Sequence, residues 1–77
     1  MTAQELKILL FNDIIDCLKL EMKLSRKAKL FEMETSTKKL LDDFLTIDYE
    51  NANLNLLSKL HSRHVLAVQI VYQLATT

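Results

Sequence analysis

The sequence predicts an all-α fold, an antiparallel helical hairpin, from three observations. The 77 residues contain neither glycine nor proline, although average usage would supply about nine between them. Two long stretches repeat apolar side chains at helical spacing. Between them, residues 46–53 gather Asp48, Asn51 and Asn53 into a polar turn. Without glycine, turns that need positive φ lose their cheapest residue. That argues against a hairpin-rich β fold, a Gly-rich phosphate loop or a G-x-S-x-G elbow. With 49% hydrophobic residues, 26% charged residues and ten basic side chains against ten acidic, residues 1–77 read as one small helical domain.

The first helix is expected over 3–34. Thr2-Ala3-Gln4-Glu5 is a capping box, in which the threonine hydroxyl accepts from the amide of Glu5. At 100° per residue Leu6, Leu10, Ile14, Cys17, Leu24, Ala28 and Phe31 form one stripe, with Asn12, Asp16, Lys19 and Lys23 opposite. Residues 18–24 alternate with period two, but Leu, Lys, Glu and Met are strong helix formers and no turn signal bounds the segment, so it reads as helix. There Leu20 and Leu24 flank one edge of the stripe and Leu18 and Met22 the other. A face that wide suits contact with two neighbours.

Thr35-Ser36-Thr37 is an interruption, because these side chains compete for backbone hydrogen bonds. A helical segment over 37–46 follows, either a short separate helix or the end of the first one after a kink. The main turn falls at 46–53. The last helix, 53–75, carries Leu57, Leu60, His64, Ala67, Val71 and Leu74 at the 3-4 spacing of a coiled-coil seam. Leu56, Val65, Leu66, Val68, Ile70 and Tyr72 lie outside that seam, so its second half is apolar nearly all round. Such a helix belongs in the middle of a bundle or against a partner. Below about 70–80 residues a single core rarely supplies more than about 3–5 kcal/mol, so a helical partner or a second copy is expected to cover the remainder.

The reactive side chains do not converge on a catalytic or metal motif. His61 and His64 stand i, i+3 and could face one metal, but two ligands do not make a site; the expectation is a polar seam residue, His64, beside a partly exposed His61. His64 could also make partner binding sensitive to mild acid. Cys17 reads as a buried thiol, and Asp13/Asp16 and Asp42/Asp43 as solvated carboxylates. No enzyme activity, cofactor, metal or small-molecule substrate is expected. Lys23, Arg26, Lys27 and Lys29 form a basic run that could meet phosphates. Zero net charge argues against a dedicated nucleic-acid binder, and the run could equally complement the acidic middle of the chain.

A single cysteine suggests a reducing compartment. Residues 1–5 lack a signal-peptide start, and Val65–Ala75 falls short of the roughly 20 residues of a membrane span. The expected location is the cytoplasm, without membrane insertion.

Tyr49-Glu50-Asn51-Ala52-Asn53-Leu54-Asn55-Leu56-Leu57, followed by Val65-Leu66-Ala67-Val68-Gln69-Ile70-Val71-Tyr72, resembles the small helical-hairpin co-chaperones of bacterial type III secretion needle subunits. Those proteins are similar in size. Their last helix also has a tyrosine leading in, leucines one turn later and a β-branched aliphatic run closing on an aromatic. The likeness covers the last third of the chain and is one of residue classes. It implies an antiparallel α-hairpin that pairs with a larger helical-repeat chaperone and helps keep the needle subunit monomeric. Leu57, Leu60, Ala67, Val71 and Leu74 would be hairpin core, and Val68, Ile70 and Tyr72 would contact the partner. The competing expectation is a small homodimeric regulator that binds DNA or another regulator through Lys23–Lys29.

Overall fold

In the computed structural model, which describes residues 1–77, helix α1 (Ala3–Lys27) begins where the capping box places it: the Thr2 hydroxyl accepts from the Glu5 amide at 3.1 Å. It ends earlier than expected. The amide of Leu30 donates to the carbonyl of Ser25 (2.8 Å) and that of Lys29 to Arg26 (3.1 Å), the paired bonds of a Schellman motif, with Lys29 in the left-handed region at φ 61°. Helix α2 (Phe31–Phe44) follows at once.

The expected helix over 3–34 is therefore two helices, and the segment expected over 37–46 begins six residues sooner. A lysine occupies the position where glycine is usual, so the break carries no residue-type signal. Thr35-Ser36-Thr37 sits inside α2. The Thr35 hydroxyl donates to the carbonyl of Phe31 at 3.0 Å and Thr37 is buried; back-bonding of this kind keeps the hydroxyl from competing for the ladder.

The second connection lies at 45–53, as expected. Asp48 Oδ1 accepts from the Glu50 amide (3.1 Å) and Oδ2 from Asn51 Nδ2 (2.7 Å). Asn53 caps α3 (Leu54–Thr76), its Oδ1 accepting from the amides of Asn55 (2.8 Å) and Leu56 (3.4 Å). Tyr49 fastens this turn to α1: its ring lies 5.4 Å from that of Phe11, which stacks on Phe44 at 4.7 Å.

The antiparallel hairpin is formed by α1 and α2, turning at 28–30. The chain then reverses again, so α3 runs parallel to α1. Lys7 Nζ donates to the Glu50 carbonyl in the connection before α3, and Asp13 meets His61 and Glu21 meets His64, partners that advance in the same chain direction. Helix α1 packs along both others, whereas the backbones of α2 and α3 stand farther apart, Leu41 and Phe44 sharing one core cluster with Leu57. The chain measures 40 × 22 × 14 Å, a shallow trough with α1 as its floor. The core is Leu10, Ile14, Leu18, Leu41, Phe44 and Leu57, with Leu24 and Val71 buried toward the far end. The wide apolar face of α1 is thus used on two sides. Phe31 and Leu74, expected in the stripe and the seam, are more than half exposed: Phe31 lies beyond the end of α1, and Leu74 is in the last turns of α3.

Candidate functional site

Two features of this layer could carry function: a polar pair locked between α1 and α3, and an unfilled apolar surface on both flanks of α3. The pair comes from seam positions. On α1, Ile14, Leu18, Glu21 and Ser25 recur at 4-3-4 spacing and all are buried, so a carboxylate occupies a core position. Opposite stands His64, whose Nδ1 lies 2.9 Å from Glu21 Oε2, with side chains 12% and 5% exposed. Burial pushes the Glu21 carboxyl above its usual range; the charge and hydrogen bond of His64 and the charge of Arg63 oppose that shift without overcoming it.

The two histidines do not converge on one metal. His61 Nε2 lies 3.5 Å from Asp13 Oδ2 while His64 faces Glu21, and no three His, Cys, Asp or Glu side chains are grouped to share an ion. Cys17 is half-buried, and its thiol is raised first by burial and then by the charges of Glu21, Asp13 and Asp16. It is therefore held as the poorly nucleophilic protonated form.

The trough opens between α2 and α3. Ile14 and Leu18 form its floor, Leu40, Asp43, Phe44 and Ile47 one wall, and Leu60 and His64 the other, around a cavity of about 190 Å³. Leu40 and Ile47 are 51% and 43% exposed. By helical periodicity Leu56, Arg63, Ala67, Ile70 and Leu74 continue the α3 wall from Leu60 at 4-3-4-3-4 spacing, a second seam beside the one that packs on α1.

The three expected partner-contact residues divide between two flanks. Val68 is half-buried and shares a flank with the exposed Val65 and Tyr72, on the His61 side away from α2. Ile70, also exposed, lies on the trough side. Ser62, Gln69 and Gln73 run between the two stripes on the outward face, so the helix that looked apolar all round has one polar line.

The basic run has a local structural role. Arg26 and Lys27 occupy the last turn of α1, where cations complement the helix dipole, and Arg26 Nε approaches Glu34 Oε2 at 4.0 Å. No helix is long and apolar enough to cross a membrane. No family model, curated protein or solved structure matches the chain.

Proposed function

We propose that the chain is a non-catalytic helix-docking module. Following the resemblance in its last third, it acts as a cytoplasmic co-chaperone that joins a larger chaperone in keeping a type III secretion needle subunit monomeric. The observation that carries this reading is the amount of uncovered apolar surface. Fifteen large apolar residues are exposed and the chain exposes 5492 Å², where a folded monomer of its mass is expected to expose about 4,800 Å². Val65, Val68 and Tyr72 form the partner-binding flank, with an aromatic anchor of the kind that dominates helix-in-groove contacts.

Co-expression with a type III secretion needle subunit and its helical-repeat chaperone tests this. Tyr72→Asp should lose the co-purifying chaperone, because an uncompensated charge would be desolvated in an apolar contact, while helix content stays unchanged. If Tyr72→Asp keeps the partner and replacing Lys23, Arg26, Lys27 and Lys29 with glutamine loses it, the basic-segment regulator is the correct reading.

A further inference from the structure

The trough lies on the opposite flank of α3 from Tyr72, and its chemistry is complementary to itself. The α2 wall carries an acid, Asp43. The α3 wall carries a base, Arg63, on the same flank as Leu56 and Ile70 and close enough for its charge to act on Glu21. Neither forms an ion pair within the chain: the three close charged contacts are Arg26–Glu34, His61–Asp13 and His64–Glu21. The apolar side chains between these walls, Leu40 and Ile47 on one and Leu56 and Ile70 on the other, stand about half exposed.

We infer that the trough is covered by a second copy of this chain, related by a two-fold axis that sets Asp43 of each copy against Arg63 of the other. A two-fold interface uses the same patch on both subunits. A trough with an acid on one wall, a base on the other and an apolar floor meets itself with opposite charges facing when the two-fold axis runs along the trough, whereas a single-sign trough would repel its own copy. The continuous seam Leu56-Leu60-Arg63-Ala67-Ile70-Leu74 supplies the side chains that enter the facing trough. Zero net charge removes long-range repulsion between the copies.

This inference concerns the other flank of α3 from the chaperone contact, so the two stand or fall separately. Sedimentation of the full chain over a range of concentrations should give twice the 8.9 kDa of one chain. Leu40→Glu changes an exposed wall residue and should return the monomer with its helix content intact. Asp43→Arg and Arg63→Asp should each weaken the dimer by roughly tenfold or more, and the double reversal should restore it, a rescue that a merely structural role for either residue would not produce. Tyr72→Asp should leave the dimer unchanged, so loss of the chaperone with retention of the dimer separates the two surfaces. The inference is overturned if the chain is a monomer at every concentration. It is equally overturned if Tyr72→Asp disperses the dimer while Leu40→Glu does not, or if the double reversal fails to recover what the single reversals lose.

Discussion

Substituting Glu21→Met and His64→Leu, singly and together, measures what the buried pair contributes to folding. The side chains are 5% and 12% exposed and meet at 2.9 Å, so neither has bulk water to fall back on. Breaking a buried pair by removing one partner costs about 3–5 kcal/mol, and the entire core of a chain this small supplies about 3–5 kcal/mol. His64→Leu strands the carboxyl in an apolar contact and should remove cooperative melting at neutral pH. Acid should recover part of it by protonating Glu21. Glu21→Met leaves the His64 imidazole as an unmet hydrogen-bond group worth about 1–3 kcal/mol. At about 4–8 °C per kcal/mol for a domain of this size, it should melt lower but still cooperatively.

The double variant should return to within about 1 kcal/mol of the parent or exceed it, since well-packed apolar residues avoid the desolvation of both groups. Thermal and urea denaturation followed by far-UV circular dichroism at one fixed protein concentration yields all four corners of the cycle. A coupling energy above about 2 kcal/mol is expected. Additive losses, or a double variant less stable than either single, would refute the argument that the pair is held by mutual dependence.

Three further outcomes follow from the same structure. Ser25 is fully buried and its hydroxyl has no hydrogen-bond partner; Ser25→Ala should therefore raise the melting temperature by relieving an unmet group worth about 1–3 kcal/mol, and a lower midpoint would show that the hydroxyl is bonded. Lys29 holds φ 61° without glycine's freedom, so Lys29→Gly should stabilise the α1–α2 turn by roughly 0.5–1 kcal/mol, the left-handed cost less glycine's chain entropy; an unchanged urea midpoint would mean that the turn carries no such strain. Because burial raises the Glu21 carboxyl, the folded chain holds that proton more tightly than the unfolded one. Its contribution is then full below the unfolded value and is lost as pH rises through the higher folded value, so the advantage of the parent over Glu21→Gln should shrink as pH rises from the ordinary carboxylate range, and a pH-independent difference would contradict it.

What the residues announced and what they concealed separate along physical lines. Thr2 and the 46–53 turn were legible because capping depends on residues two or three apart and the side chains that do it are few. The α3 seam was legible through Leu57, Leu60, His64 and Val71 because burial on a helix is periodic. The break at 28–30 was concealed: its left-handed residue is a lysine, and the paired backbone bonds that close it are independent of side-chain type. Glu21 was concealed by its chemistry, although the 4-3-4 spacing of Ile14, Leu18, Glu21 and Ser25 marks it as a seam position once period is weighed above polarity. The trough could not be read from sequence at all, since it exists only because α3 returns parallel to α1 and leaves a gap beside α2.

The polar pair and the trough are connected through register. In a layer where α3 packs along α1 and its backbone stands away from α2, the alignment of α3 is set chiefly by its contacts with α1. A slip of one turn would place the Glu21 carboxyl against Leu60 or Ala67 instead of His64, and a buried carboxylate facing an aliphatic side chain has no compensating bond. Apolar seam contacts discriminate weakly, because Leu57, Leu60, Ala67 and Val71 can each exchange places one turn on at modest cost. Glu21 and His64 therefore select the alignment that the aliphatic residues only permit. That alignment sets Leu60 and His64 across from Leu40 and Asp43, so the pair beneath the trough fixes the spacing of its walls. A buried polar contact that adds little net stability thereby determines the shape of the apolar surface above it, the registry role best attested for such pairs.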